Sequence, residues 1–361
     1  MSVLSRKVLP IVMGGVSKYQ SRLHNLQTLK TYSDIGIIGV PISRGQSYFS
    51  HNQILTLFFF FLIKPKYGVD RGPNILRSAG LIEELKCFGT VNDYGDLTFP
   101  DIGDDPNFGK VKHPRFIGNS MKKFSTSVQK VLEECKTCVN LGGDHSLGIG
   151  SVFGHAKVHS DLALLWIDAH ADINTPESSP SGNIHGMAVA FLLKELQKKI
   201  SVPGFEWLHP VLNKTQIVYI GLRDVDDGEK EILKQLGVSV FCMREIDRLG
   251  IYEVLKRALE ILDPKNEKSL HVSFDIDSVD KKMVPSTGTS VIGGLNVREA
   301  LCIAEELAST ERVRVLDLVE VNPSLGSESD VSATVDIATR IILGFFGKQR
   351  GGNLPRKSKA I

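Results

Sequence analysis

Residues 165–174 have the sequence Leu-Trp-Ile-Asp-Ala-His-Ala-Asp-Ile-Asn, an apolar run that ends in three potential metal ligands. The run from Leu162 to Ile167 predicts a buried strand. Asp168, His170 and Asp172 then alternate with two alanines, and an extended backbone would turn all three side chains to one side. This geometry suits cation binding, although one such triple by itself could equally be a loop of solvated acids with a histidine.

Two further groups of acids and histidines follow apolar runs elsewhere in the chain. Gly142-Gly-Asp-His145 follows the run that ends at Leu141, and Asp275-Ile-Asp277 follows the run that ends at Phe274. Three strand ends with the same chemistry favour one shared site over three unrelated loops. In parallel sheets the carboxyl ends of the strands meet at one edge, which is where ligands bind.

Strand-like and helix-like segments alternate from Asp34 onward. Ile35–Val40 predicts the first strand, and further strand-like runs end at Leu141, Ile167, Leu222, Phe274 and Val319. Helical periodicity marks about 120–135, 185–199, 228–236, 252–262, 296–308 and 330–345, and Gly68 to Leu85 predicts a turn and a helix. This order predicts an α/β protein whose parallel sheet has helices on both faces. Residues 34–353 are therefore expected to form one domain, followed by a tail at 354–361.

Composition and charge limit the classes of function. The chain has 361 residues, of which 42% are hydrophobic and 23% charged, so it can bury a sizeable core. A net charge of +2 and the lack of a basic, aromatic-rich helix argue against nucleic-acid binding. The five cysteines are odd in number and scattered, which favours reduced thiols over a disulfide framework. We interpret the Cys135-Lys-Thr-Cys138 pair as structural, because its second cysteine begins an apolar strand.

Residues 1–33 do not fit the α/β pattern. They contain no Asp or Glu but carry basic residues among serines and leucines, which is typical of a mitochondrial transit peptide. We therefore expect a location in the mitochondrial matrix. A secretory signal, a disordered leader and a cytoplasmic location are the alternatives.

Residues 47–63 do not fit the pattern either. They include four consecutive phenylalanines, which on an exposed loop would promote aggregation, and the apolar run Ile54 to Ile63 is too short to cross a bilayer. A thymine-rich tract before a splice acceptor would encode such a run. We therefore interpret 47–63 as a retained intron, a hypothesis that would be wrong if mature message from expressing tissue contains the segment.

The acids and histidines at the strand ends exceed what one tetrahedral zinc site needs. The set comprises His145, Asp168, His170, Asp172, Asp275 and Asp277. Four buried carboxylates would repel one another without cations, and two divalent ions that share carboxylates would relieve that repulsion. An oxygen-rich set with two nitrogens favours Mn²⁺, with zinc, cobalt and iron as alternatives. Two metal ions about 3.5–4 Å apart can hold a hydroxide at neutral pH, so we expect metal-assisted hydrolysis.

Seven short motifs occur between Leu141 and Pro323. They are Leu141-Gly-Gly-Asp-His-Ser146, Asp168-Ala-His-Ala-Asp-Ile-Asn174, Ser181-Gly-Asn-Ile-His-Gly186, Gly221-Leu-Arg-Asp-Val-Asp226, Ser273-Phe-Asp-Ile-Asp277, Thr287-Gly-Thr289 and Glu320-Val-Asn-Pro323. Together, and in this order, they resemble the arginases of the ureohydrolase family, from Asp34 to about Asn353. The resemblance implies a three-layer αβα fold with an eight-stranded parallel sheet. It also implies hydrolysis of L-arginine to L-ornithine and urea by a hydroxide that bridges two Mn²⁺ ions.

The resemblance further implies a role for each matching side chain. His145 and Asp172 would bind the first ion, His170 and Asp277 the second, and Asp168 and Asp275 both. Asp172 would take part in proton transfer to the departing amine, and His185 would exchange protons with solvent. By spacing alone, His185 would be a core histidine at a helix start.

Substrate recognition separates the arginases from their relatives. Glu320, after the last strand, resembles the acid that faces the guanidinium, although alone it could cap the following turn. At the amino-acid end, the resemblance implies neutral donors to the carboxylate (Asn174, Ser181, Asn183), acids for the ammonium (Asp226, Glu229) and Thr289 in the matching loop. Because agmatine has no carboxylate, the neutral set favours L-arginine as the substrate.

Three hypotheses about function remain open at this point. The first is an arginase, the second an agmatinase-like or other guanidino hydrolase, and the third a catalytically impaired oligomer component disabled by 47–63. Arg298, Glu299 and Arg350 match positions of intersubunit ion pairs in trimeric arginases, which predicts a homotrimer, although solvated charges would look the same. One departure from the family is Lys281, which follows Asp280 where a proline is usual and changes a turn but no ligand.

Overall fold

The framework of the protein is one parallel sheet of eight strands, in a computed structural model that describes residues 34–46 and 68–351. In chain order the strands are β1 (Ile35–Val40), β2 (Val91–Asp96), β3 (Thr137–Gly142), β4 (Leu162–Ile167), β5 (Ile217–Ile220), β6 (Ser239–Phe241), β7 (Ser269–Asp275) and β8 (Val313–Val319). Their order across the sheet is β2-β1-β3-β8-β7-β4-β5-β6. The parallel α/β architecture is confirmed. The segments 1–33, 47–63 and 354–361 lie outside the described residues.

Helices connect the strands and cover both faces of the sheet. They are α1 (Gly72–Ser78), α2 (Leu81–Leu85), α3 (Pro114–Glu134), α4 (Gly148–Val158), α5 (Ala188–Leu192), α6 (Asp227–Leu236), α7 (Met243–Leu249), α8 (Ile251–Leu262), α9 (Val297–Ser309) and α10 (Glu328–Phe345). α3, α4 and α5 contact one another in series, and α8, α9, α10 and α1 form a second contacting series. Within the described ranges, no helix is long and apolar enough to cross a membrane.

β4 shows how the chain builds the centre of the sheet. All six of its residues are fully buried. Because side chains alternate along a strand, Leu164 and Trp166 join the hydrophobic cluster formed with α3, α4 and α5, whereas Leu165 and Ile167 face the opposite layer. A strand that is covered on both faces has a continuous apolar sequence, which is why its position was predictable.

The two edge strands of the sheet, β2 and β6, were not predicted from the sequence. β2, with the sequence Val-Asn-Asp-Tyr-Gly-Asp, is mostly exposed, and β6 has only three residues, all half-buried. An edge strand pairs on one side only and needs no apolar run. Its position therefore depends on the neighbouring strand, here β1 for β2 and β5 for β6.

The helix expected at about 185–199 is broken into three pieces. A 3-10 turn at Ile184–Met187 precedes α5, and a second 3-10 segment spans Lys194–Lys199. The break occurs because the backbone around Leu193 pairs with the chain at Leu212: Lys194 N–H donates to the Leu212 carbonyl, and Leu212 N–H donates to the Leu192 carbonyl. A tertiary contact thus overrides the helical periodicity.

The loop after β3 requires a glycine where it passes the loop after β1. A Cβ on Gly143 would lie 1.9 Å from the Ile42 carbonyl oxygen and 2.6 Å from the Ile42 nitrogen. The same crossing is closed by Gly143 N–H donating to the Val40 carbonyl and Asp144 N–H donating to the Ile42 carbonyl. The crossing lies directly before His145.

We predict that Gly143→Ala lowers the free energy of unfolding by about 3 kcal/mol, because backbone atoms on both sides must move apart. Gly186→Ala is the matched control, since no described atom lies within 4 Å of the Cβ it would add. Urea unfolding of both variants measures the effect. Equal midpoints for the two variants would contradict the prediction.

Candidate active site

The candidate site lies at the carboxyl ends of four neighbouring strands. β3, β8, β7 and β4 are adjacent in the middle of the sheet. His145 follows β3, Glu320 follows β8, Asp275 and Asp277 lie at the end of β7, and Asp168, His170 and Asp172 follow β4. The predicted gathering of separate strand ends into one site therefore occurs in the structure.

The chain bends after β4 instead of staying extended, which corrects the simple alternation expected from the sequence. The Asp168 carboxylate accepts a hydrogen bond from His170 N–H at 2.7 Å, and Asp275 accepts one from Asp277 N–H at 2.8 Å. Each pair is a local turn in which an aspartate side chain caps the backbone two residues later. The spacing of two residues between Asp168 and His170, and between Asp275 and Asp277, therefore results from this local turn.

Two groups of ligand atoms form within the cluster and share Asp168. The first contains His145, Asp168 and Asp275, and the second contains Asp168, His170 and Asp277, with the ligand atoms of each group within 4.8 Å of one another. Asp172 Oδ2 lies 3.2 Å from His145 Nδ1, beside the first group. Asp275 belongs only to the first group at this separation, so its expected bridging role stays a prediction.

Trp166, the last aromatic residue of β4, holds two of these side chains. Its indole N–H donates to Asp168 Oδ2 at 3.0 Å, and its ring stacks on His145 with centroids 4.0 Å apart. The buried strand therefore orients both a shared carboxylate and an imidazole.

Ser273, a buried polar residue of β7, fixes the tautomer of His145. His145 Nε2 lies 2.9 Å from Ser273 Oγ, and Ser273 donates to the Asp317 carboxylate at 3.2 Å. Asp317 also accepts hydrogen bonds from Ser151, Asn140 and His271, and the hydroxyl of Ser273 is thereby committed as a donor. His145 must then donate through Nε2, which leaves the lone pair of Nδ1 facing the carboxylates.

That lone pair shows that the cluster fits metal ions. His145 Nδ1 is buried, has no hydrogen-bond partner among the described residues, and lies 3.0 Å from Asp168 Oδ2 and 3.2 Å from Asp275 Oδ2. A buried lone pair that faces carboxylate oxygens is repulsive without a cation or extra protons between them. Divalent metal ions with nitrogen and oxygen ligands match this donor set.

The pKa shifts in the cluster also indicate that it fits metal ions. Burial and the Asp168 charge raise the pKa of Asp172 to about 6, and burial with the charges of Asp277 and Asp168 raises the pKa of Asp275 well above its usual value. Burial alone would lower the pKa of His145, but the surrounding carboxylates raise it well above its usual value. Without metal ions, the cluster therefore retains protons.

Two site residues have left-handed backbones that non-glycine residues rarely adopt. Asp172 has φ 49° and Glu320 has φ 66°. Such conformations store strain and cluster at functional sites. The Glu320 carboxylate is held by His145 N–H at 2.9 Å on one oxygen and by Gln46 Nε2 at 2.9 Å on the other, and His185 Nδ1 lies 3.7 Å away.

A cleft of about 130 Å³ opens onto this cluster. Its lining comprises His145, His170, Asp172, Asn174, Ser179, Ser181, His185, Gly186, Asp224, Asp226, Glu229, Asp275 and Thr289. No apolar side chain is among these lining residues, and acids predominate, which favours a small, polar, cationic ligand. A larger hollow of about 470 Å³, lined by residues such as Phe191 and Phe205, shares no residue with the cleft.

The residues expected at the amino-acid end form two hydrogen-bonded groups, one of Asn174, Asp226 and Glu229 and one of Ser181 and Asn183. Asn174 donates to Asp226 at 2.9 Å, and Asp226 N–H donates to Glu229 at 3.0 Å at the start of α6. Burial and the Asp172 charge raise the pKa of Glu229 to about 8. Ser181 accepts from Asn183 N–H at 3.2 Å. These hydrogen bonds orient the side chains, most of which line the cleft wall.

Thr289 and Asn183 differ from the simplest expectation. Thr289 lines the cleft but donates its hydroxyl to Asp277 at 2.7 Å, so it also orients a candidate metal ligand. Asn183 does not line the cleft; its side-chain oxygen accepts from Lys112 at 3.1 Å.

Several residues at the site were not predicted from the sequence. Gln46 contacts Glu320, Ser179 lines the cleft, Lys112 holds Asn183, and Asp224 lies 3.7 Å from His170. Of these four, only Asp224 stands inside a quoted motif, and residue type alone distinguishes none of them from ordinary surface or core residues.

Comparison with known proteins identifies the family. Residues 33–347 match the Arginase family. Human Arginase-1 is 48% identical over 324 residues, which cover 88% of this chain and 94% of the human one. The chain belongs to the arginase family. Its fold matches the arginase of Bacillus caldovelox with a TM-score of 0.75 at 32% identity, over 88% of this chain and 99% of that one.

A further arginase structure carries a ligand. The Entamoeba histolytica arginase, solved in complex with L-ornithine, matches with a TM-score of 0.73 at 26% identity, over 88% of this chain and 99% of that one. The eight-stranded, three-layer arginase fold implied by the motifs is thereby confirmed.

We predict that Mn²⁺ raises the melting temperature more at pH 8 than at pH 5.5. A group whose pKa is higher in the folded than in the unfolded chain favours folding at low pH and loses that contribution as the pH rises through its folded value. Asp172, Asp275 and His145 all shift upward, so the metal-free protein is destabilised as the pH rises from 5.5 to 8. The pKa of Asp168 is lowered, so it is ionised throughout and leaves the sign unchanged.

Thermal unfolding with and without Mn²⁺ at both pH values measures this effect. Asp227→Asn, a change of an exposed acid outside the cluster, is the control and should leave the difference unaltered. An equal or larger Mn²⁺ effect at pH 5.5 would contradict the prediction.

Proposed function

We propose that this protein hydrolyses L-arginine to L-ornithine and urea at a site that holds two manganese ions. One observation carries the proposal: two ligand groups that share the buried carboxylate of Asp168 open onto an acid-rich cleft whose other side chains can bind an amino acid. Membership of the arginase family supports it. The L-ornithine in the Entamoeba histolytica structure is consistent with the proposed product.

The residues that would hold the ions come from three loops. The first ion would take His145, Asp172, Asp168 and Asp275, and the second would take His170, Asp277, Asp168 and Asp275. Manganese is proposed because oxygen ligands outnumber nitrogen ligands four to two in this set. Bound divalent ions supply hydroxide at neutral pH as the nucleophile and neutralise the carboxylates.

Glu320 would receive the guanidinium group. Its carboxylate is almost fully buried and lies 2.9 Å from the backbone nitrogen of His145 and 3.7 Å from His185 Nδ1. Although burial alone would raise the pKa of Glu320, the neighbouring His185 and the N–H of His145 hold it below its usual value. An ionised carboxylate is the natural partner of a planar cation with several N–H donors.

The opposite end of the substrate would meet the network at the start of α6. Asn174 and Ser181 offer neutral donors to the carboxylate, with Asn183 as a supporting residue. Asp226 and Glu229 offer acceptors to the ammonium. The two charged ends of a free amino acid thus find opposite chemistry within one cleft wall.

Proton transfer would involve His185 and Asp172. His185 lines the cleft with a side chain that is 14% exposed, and although burial alone would lower its pKa, Glu320 raises it above the usual value. A histidine that reaches both the cleft and solvent can exchange protons between the site and water. Asp172, beside His145, would take part in proton transfer to the departing amine.

We also propose a homotrimer in the mitochondrial matrix. The leader composition of residues 1–33 supports the location. Of the residues expected between subunits, Arg350 pairs within the chain with Glu305 at 2.9 Å, and Glu299 caps the start of α9. Arg298 remains the candidate for an intersubunit pair, and sedimentation of the Mn²⁺-loaded protein would measure the assembly.

We predict that the Mn²⁺-loaded protein releases urea from L-arginine at least tenfold faster than from agmatine, measured as kcat/KM. Agmatine lacks the carboxylate that Asn174 and Ser181 would bind, and hydrogen bonds to a charged group contribute about 1.5–3 kcal/mol. Metal content is determined on the same sample. Preference for agmatine would overturn the assignment of the amino-acid end, and metal binding without turnover of either compound would favour an impaired oligomer component.

We predict different outcomes for Asp168→Asn and Asn174→Ala. Because Asp168 belongs to both ligand groups, its replacement should lower bound manganese at both positions and abolish urea release. Asn174→Ala should retain manganese and raise the KM for L-arginine by about tenfold. Metal analysis and steady-state kinetics measure the two effects, and an equal loss of manganese in both variants would show that the proposed division is wrong.

A further inference from the structure

The 3-10 turn Arg44–Gln46, which follows β1, contacts Asp144 and Glu320 beside the candidate active site. Gly45 N–H donates to the Asp144 carboxylate at 2.8 Å. A Cβ on Gly45 would lie 2.4 Å from Asp144 Oδ1, so only glycine allows this approach. The turn is thereby fixed against the loop that carries His145.

The same turn is anchored on two further sides. The guanidinium of Arg44 lies 4.2 Å from the centre of the Phe116 ring and 3.1 Å from Asp101. The turn also packs against the 3-10 turn Ile184–Met187, which carries His185. With three contacts around it, Gln46 is held in a defined position.

Gln46 donates from one end of its amide and accepts nothing at the other. Its Nε2 donates to Glu320 Oε2 at 2.9 Å, and both side chains are buried. The amide cannot be reversed, because its oxygen would then face a carboxylate oxygen. Its Oε1 is buried without a hydrogen-bond partner among the described residues. Buried hydrogen-bond acceptors in native proteins are rarely unpaired.

A second buried amide in the chain shows what a structural glutamine looks like. Gln216, before β5, donates from Nε2 to the Leu162 carbonyl at 3.0 Å. Its Oε1 accepts from Asn213 N–H at 3.0 Å and from Asn213 Nδ2 at 3.1 Å. Both ends of Gln216 are used, whereas only the donor end of Gln46 is used.

We infer that Gln46 is a positioning residue for guanidinium recognition: its N–H fixes the Glu320 carboxylate, and its unpaired oxygen is a second acceptor for the guanidinium. This inference rests on the proposed function, in which Glu320 receives that group. A guanidinium has five N–H donors, more than one carboxylate can accept. Because Glu320 already accepts from His145 N–H and from Gln46, an additional neutral acceptor beside it matches the unused donors.

Gln46→Met tests the inference, because methionine has a similar length but no hydrogen-bonding amide. We expect the apparent affinity for L-arginine to fall roughly tenfold, which corresponds to the loss of a hydrogen bond to a charged group. Affinity for L-ornithine, which has no guanidinium, and manganese content should stay unchanged. Gln216→Met is the matched control and should lower the melting temperature without changing either affinity.

L-Arginine affinity is measured as KM from urea release, or directly as Kd if the unaltered protein does not turn it over. Thermal shift with L-ornithine measures product affinity for every variant.

Three results would overturn the role of Gln46. They are equal losses of L-arginine and L-ornithine affinity in Gln46→Met, loss of manganese in Gln46→Met, or unchanged L-arginine affinity in Gln46→Met. Absence of urea release from the unaltered protein counts instead against the proposed function. The two failures are therefore distinguishable in one set of measurements.

Discussion

The carboxylate of Asp168 connects nearly every part of the candidate site. One oxygen accepts His170 N–H, and the other accepts the indole N–H of Trp166 and lies 3.0 Å from His145. Because the group is fully buried, its charge must be compensated within the protein. The turn after β4, the stacking of Trp166 on His145 and the two ligand groups all meet at this side chain.

A second constraint comes from the polar side chains of β7. Ser269, His271, Ser273 and Asp275 occupy alternate positions of β7, so a central strand carries polar side chains along one face. His271 bonds to Asp317 and to His155, and His155 bonds to Ser269. This chain of hydrogen bonds satisfies the buried polar groups in the sheet and ends at His145, which explains why polar residues are tolerated in a central strand.

Two residues with left-handed backbones lie at the candidate site. Of the six described non-glycine residues with left-handed backbones, two, Asp172 and Glu320, lie where the chain turns sharply at the end of an inner strand. Both positions lie directly beside candidate ligands, and Glu320 is held by hydrogen bonds from two other loops. The surrounding contacts are therefore needed to keep these conformations, which links the packing of the β1 loop to the guanidinium-facing acid.

The amino-acid sequence by itself determined the inner strands, most helices, the six candidate metal ligands and the family. Burial on both faces imposes apolar runs, and metal chemistry restricts residue types, so both leave local patterns. The edge strands β2 and β6, the break at Leu193 and the contact of Gln46 with Glu320 leave no such pattern, because each depends on a partner far away in the chain.

Only the tertiary structure decided which strand ends become neighbours. β8, near the end of the chain, inserts between β3 and β7, and β4 lies on the other side of β7. This order places His145, Glu320, Asp275 and Asp168 at one edge of the sheet, although up to 175 residues separate them along the chain. Strand order is set by the packing of helices on both faces, which no single segment of sequence encodes.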